Sequence, residues 1–201
     1  MSTLLKKHSF DTVFDSQKVF RLLLEAMSNP LRTVSIKEYA CKMDSGDPAF
    51  LALAMTLLDN EVSFNTCGNS SLANEISSLT LAKSVGLDSA DFVFVNDPDD
   101  IKTVIESVKY GTLTDPHKSA TVVIQNDEEP DCLLGFYGPG IDRSKAVLVT
   151  PLVRDAVLLR DAQGCGYPQG IDLIFLSRTG GFLAIPRLVK IEMLDGGRMQ
   201  N

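Results

Sequence analysis

Asp172 interrupts the apolar run GIDLIF, and Arg187 follows a proline in the stretch AIPR. A carboxylate between Ile171 and Leu173 must be solvated, ion-paired or hydrogen-bonded, because burial penalises an unpaired charge heavily. An arginine at a strand bend can grip an anionic substrate with its planar fork, pair with a nearby carboxylate or touch another subunit. For both residues a structural or interface role is the simpler reading. Just upstream, GCGYPQG places glycines at 164, 166 and 170, close to the spacing of a dinucleotide-binding loop. Such a loop follows a strand and opens a helix, so that the helix N-terminus faces the phosphate. Here the order is reversed: the glycines follow a helical segment and lead into a strand. Gly164 and Gly166 are therefore read as ending that helix, Pro168 as stiffening the turn, and Gly170 as allowing close approach where the strand begins. Arg21 on the first helix, Asp59 after the second, and His117 behind Asp115-Pro116 are further candidates. Arg21 and Asp59 carry the same structural or interface preference, and His117 is either an acid-base group or a solvated loop histidine.

The signatures of phosphate-cradling, esterase-like and metalloprotease chemistry are missing: there is no GxxxxGK[ST], GxSxG or HExxH segment. No catalytic, cofactor-binding or metal-ligating set is assigned. Cys41, Cys67, Cys132 and Cys165 contain no CxxC pair, and His8 and His117 are the only histidines. These read as reduced thiols in a cytoplasmic protein rather than as a zinc site. A net charge of -7 in 201 residues argues against nucleic-acid or anionic-lipid binding. The longest apolar run, AFLALAMTLL, is too short to span a bilayer, and the N-terminus carries no secretory pattern.

Elements that must position these residues follow from periodicity. DSQKVFRLLLEAMSNP predicts a helix with Val19, Phe20, Leu23, Leu24 and Met27 on one stripe, capped by Asp15 or Ser16 and stopped at Asn29-Pro30. LRTVSIKEY alternates as a strand, Pro48 opens a second helix to Leu58, and EVSFNTC is a short strand. SSLANEISSLTLAKSVG predicts a helix ending at Gly86, DFVFVND a strand, DPDDIKTVIESVKYG a helix ending at Gly111, and SATVVIQ a strand. DCLLGFYGPGID, beyond an acidic loop, is expected to pair antiparallel with SATVVIQ, and Tyr137-Gly138-Pro139-Gly140 is a turn by composition. The latter part of VLVTPLVRDAVLLRDAQGC is helical. A hairpin turns at Thr179-Gly180-Gly181 between two buried strands, with a bulge or sheet edge at Pro186, and residues 195–201 should fray. Alternating helices and strands indicate one α/β domain over residues 1–201.

Three blocks, DSQKVFRLLLEAMSNP, LALAMTLLDNEVSF and YPQGIDLIFLSRTGGFLAIPR, with GPGID between the second and third, resemble the H subunit of the bacterial carbon-phosphorus lyase system. The chain departs from that pattern at Leu31, where glycine is expected, and in LVKIEML, where a threonine-histidine pair is common. The resemblance implies a three-layer α/β/α fold with a mixed central sheet, like that of pyridoxal-phosphate-dependent transferases without their cofactor site. It implies a homodimer that joins the G, I and J subunits and works functionally with L. With G, I and L it would support transfer of ribose triphosphate from ATP to methylphosphonate, with release of adenine. The radical iron-sulfur chemistry would belong to J. The rival is an independent small-molecule transferase with a nucleotide or pyridoxal ligand in its cleft.

Overall fold

The computed structural model describes residues 8–192. The first helix, α1 (Phe14–Ser28), starts with a reciprocal arrangement in DTVFD. Asp11 Oδ1 accepts the N–H groups of Val13 and Phe14, each at 2.8 Å, and Asp15 Oδ2 accepts the N–H of Asp11 at 2.7 Å. The amides entering the helix are thus met by Asp11, and neither Asp15 nor Ser16 caps it. Asp15 turns inward instead, where its other oxygen accepts from Lys42 Nζ at 2.7 Å. That anchor fixes the rotation of the helix: Asp15, Val19, Leu23 and Ala26 form the buried stripe. Phe20 and Leu24, expected on it, are 45% and 49% exposed.

Residues 31–39 make less strand than their alternation suggests. Only Val34–Ser35 (β1) pairs, against Phe182 and Gly181, and Lys37–Ala40 (α2) follows at once. Gly180 explains the early stop, since its carbonyl accepts the Ile36 N–H at 2.8 Å. A Cβ on Gly180, at φ +95°, would lie 2.8 Å from the Lys37 nitrogen. Next come α3 (Pro48–Leu57), β2 (Ser63–Asn65) and α4 (Ser70–Thr80). Helix α4 ends at a left-handed Leu81, φ 64°, rather than at Gly86, because β3 (Lys83–Ser84) needs the intervening residues to reach β2. After β4 (Phe92–Val95) and a single 3-10 turn, α5 (Ile101–Ser107) also stops before the glycine expected to end it. Val108 is already extended, and Gly111 instead turns the chain tightly against the Pro116 carbonyl.

The remaining elements are β5 (Thr121–Gln125), β6 (Cys132–Tyr137), β7 (Lys145–Val149), α6 (Pro151–Ala162), β8 (Asp172–Leu176), β9 (Gly181–Ile185) and β10 (Lys190–Glu192). They form a mixed seven-stranded sheet, β1-β9-β8-β5-β4-β2-β3, and an antiparallel three-stranded one, β10-β6-β7. Strands β2, β3, β4, β5 and β8 run parallel, whereas β9 and β1 are antiparallel to their neighbours. The expected pairing of β6 with β5 does not occur, because β4 and β8 already occupy both edges of β5. Pro186 makes neither a bulge nor an edge: β9 is an interior strand and ends at Ile185, so the proline withholds no ladder donor. The expected fray at 195–201 lies outside the described residues.

Alternation along the central strands divides the core. Phe94, Val123, Ile174, Leu176, Phe182 and Ala184 pack with α1, α2, α3 and α4. Val93, Val95, Val122, Leu173, Phe175 and Ile185 pack with α5, α6 and the small sheet. Helices therefore cover both faces of the α/β sheet. No helix among the described residues is long and apolar enough to cross a membrane.

Candidate functional site

Five of the sequence candidates meet at the N-terminal end of β8. Arg187 grips Asp172 with Nη2 to Oδ2 at 2.6 Å and Nε to Oδ1 at 3.3 Å, and its own N–H donates to Oδ1 at 2.8 Å. The third guanidinium nitrogen, Nη1, donates to the Pro116 carbonyl at 2.8 Å. Gly170 must be glycine here, at φ +142°, because a Cβ would lie 2.9 Å from the Arg187 Cβ. Its N–H donates to the Tyr110 carbonyl at 3.0 Å, and the cis Tyr167-Pro168 bond sits in the turn leading to it. Pro186 precedes Arg187 and carries one carbonyl bonded by the buried Arg160, whose guanidinium also reaches the Val189 carbonyl. Every donor of Arg187 that makes a bond therefore holds the protein itself, so the cluster clamps the β9 end to the 110–117 loop. Arg21 and Asp59 lie elsewhere: Arg21 is exposed on α1, and Asp59 accepts the Glu61 N–H at 2.8 Å in a surface turn.

The opposite end of the sheet carries a site that the sequence candidates did not include. From β2 the chain moves outward through α4 to β3, then returns to β4 on the other side of β2. Helix α4 packs on one face of the sheet and α5 on the other. The loops after β2 and β4 therefore diverge, and ligands of open α/β sheets bind in the crevice opened at such a point. Here the crevice is filled from within. Asp47, the residue before α3, accepts from Asn69 Nδ2 at 2.9 Å on one oxygen and from Asn96 Nδ2 at 2.9 Å on the other. Asn69 also donates to Asn96 Oδ1 at 3.1 Å, while its own Oδ1 caps α4 by accepting the Leu72 N–H at 3.0 Å. Asn96 continues to Gln125 Oε1 at 3.3 Å, Gln125 to Asp127 at 2.8 Å, and Asp127 pairs with Arg178 at 3.4 Å.

A cavity of about 20 Å³ adjoins this chain, lined by Asp47, Phe50, Gln125, Ser177 and Arg178 among others. It has room for about one water molecule. Arg178 is the solvent-facing member, with a side chain 78% exposed. A visible signal pointed here: β2, β4 and β5 each run into a carboxamide, at Asn65, Asn96 and Gln125. Asp47 and Asp127 carried no such signal, because only folding brings them to the strand ends.

Electrostatics elsewhere are those of structural pairs. Burial pushes the Asp91 carboxyl up, but Lys109 Nζ at 2.5 Å and the Ser63 hydroxyl at 2.6 Å more than reverse this and hold it below the usual range. Burial, with a smaller contribution from Asp100, pushes the Cys67 thiol up to about 11. No group of His, Cys, Asp and Glu among the described residues is arranged to hold a metal ion. No curated protein matches the sequence. The family model of the bacterial phosphonate metabolism protein (PhnH) matches residues 8–192, the whole of the fold just described, and the chain belongs to that family.

Proposed function

We propose that the chain is a supporting subunit of the carbon-phosphorus lyase core complex in phosphonate metabolism, without catalytic activity of its own. One observation carries the supporting role: the crevice where an α/β sheet offers a ligand site is occupied by Asp47, held by the amides of Asn69 and Asn96. In this reading the transferase-like α/β architecture is a single cytoplasmic domain, forms a homodimer and retains no pyridoxal phosphate site. With the G, I and L subunits it supports attachment of the ribose triphosphate of ATP to methylphosphonate, and J carries out the later radical step. Asp172, Arg187, Gly170, Pro168 and Pro186 then keep the β8-β9 hairpin in the shape the assembly needs, and exposed Arg21 and Asp59 are candidates for subunit contacts.

Co-expression of the tagged chain with the G, I and J subunits, followed by native mass spectrometry, tests this directly. The expected product contains paired copies of every subunit. The isolated chain should convert neither ATP nor methylphosphonate. Turnover by the isolated chain, or assembly of the others without it, would overturn the reading in favour of an independent transferase.

A further inference from the structure

Among the described residues the two sheets present four edges, and three of them are poor templates for another strand. β1 and β3 are two residues long, and the described part of β10, Lys190–Glu192, carries a charge at each end. β7 differs: it runs for five residues, KAVLV, with Leu148 53% exposed and no strand on its outer side. Proteins ordinarily blunt such an edge with charge, proline or brevity, because its free N–H and C=O groups recruit other chains.

A groove of about 240 Å³ runs beside it. Its lining includes Val147, Leu148 and Val149 on one side and Gly181, Phe182 and Leu183 on another. Successive residues of a strand point to opposite faces, so three in a row on a strand with one unpaired side border a groove that runs along its edge. The groove meets β7 in this way on its unpaired side, whereas Gly181, Phe182 and Leu183 belong to β9, an interior strand paired with β1 and β8, and form the far wall. The ends of β7 differ in charge: Lys145 begins the strand, while Glu128 lines the groove beyond its far end and accepts the Leu152 N–H at 3.3 Å.

We propose that this groove receives one extended segment of a partner subunit, added as a further strand on β7. Resting on the complex-subunit reading above, the inference names how a partner is held. The occupant is a stretch of about five residues, set by the length of β7 at roughly 3.3 Å per residue. Its alternate apolar side chains face the groove, with an acidic residue at the Lys145 end and a basic one beside Glu128. Main-chain hydrogen bonds supply affinity, and the two charged ends fix direction. A second copy of this chain fits less well, because its own three-stranded sheet would have to enter a groove walled on the far side by β9.

Amide hydrogen exchange at residues 145–149, measured on the isolated chain and on the co-expressed assembly with G, I and J, tests the inference. Outward-facing amides of β7 should slow by at least about tenfold in the assembly, and Leu148→Lys should keep the fold by circular dichroism while weakening assembly by roughly tenfold. An assembly that forms with unchanged exchange at β7, or that tolerates Leu148→Lys, overturns this inference and leaves the subunit reading standing. Failure to assemble overturns the subunit reading and this inference with it. Slowing in the isolated chain that grows with its concentration would assign the edge to a second copy and also overturn the inference.

Discussion

Asp172 and Arg187 were singled out because each sits awkwardly in an apolar stretch, and the fold resolves the awkwardness by joining them. The join is two-pronged, and Lys cannot reproduce it, since an ammonium has no planar fork to span both carboxylate oxygens and the Pro116 carbonyl. Arg187→Lys should therefore lower stability by about 2 kcal/mol, read from chemical denaturation. Asp15 makes a second pair whose effect depends on pH. The hydrogen bond from Lys42, followed by that from the Asp11 backbone, holds its carboxyl below the ordinary 3.8. A depressed folded value means the stabilisation is fully present above about 3.8 and is lost as pH falls through the folded value. Asp15→Asn should cost about 1 kcal/mol at neutral pH and converge with the parent in strong acid, which thermal melts across pH would show. Cys67, pushed up to about 11 by burial, should alkylate last, and exposed Cys41 should be modified before it at pH 8. Mass spectrometry of a brief iodoacetamide reaction reads that order.

At the scale of elements, most helices and strands were legible, while several of their ends were not. The periodicity that placed α1, α3, β4, β5, α6 and the β8-β9 hairpin is a property of each segment's own residues. The misplaced ends depended on distant partners. Gly86 and Gly111 looked like helix terminators, yet the chain had to leave each helix earlier to pair β3 with β2 and to return Lys109 O to the Ala120 N–H. The stripe on α1 was displaced because Asp15 pairs with Lys42, 27 positions away. Leu81 shows the cost of this override. It holds a left-handed backbone, φ 64°, and the residue is 70% exposed, so it pays conformational strain with little burial in return. Leu81→Gly relieves roughly 1–2 kcal/mol of strain and adds up to about 1 kcal/mol of unfolded-state entropy. The expected net gain is about 0.5 kcal/mol, visible as a higher denaturation midpoint with an unchanged slope.

For the molecule as a whole, the decisive feature is the place where the order of parallel strands reverses, and no local pattern could have shown what fills it. The carboxamides ending β2, β4 and β5 were visible, but Asp47 arrives from a loop before α3 and Asp127 from one after β5. Filling this crevice and binding in it have opposite energetic signatures. A site kept open for ligand tends to hold strained or poorly satisfied groups, so substitutions there often stabilise the protein. A filled crevice behaves as a joint: Asp47 ties the start of α3 to the cap of α4 and to the end of β4. Asp47→Ala should then cost about 2 kcal/mol, since it leaves two carboxamides short of a charged acceptor. Asn96→Ala should cost less, and the double variant should lose less than the sum, with a coupling of about 1 kcal/mol. Denaturation of these three variants checks the cycle. A rise in stability for Asp47→Ala would mean that the carboxylate is held ready for a ligand, and would move the chain from supporting subunit towards enzyme.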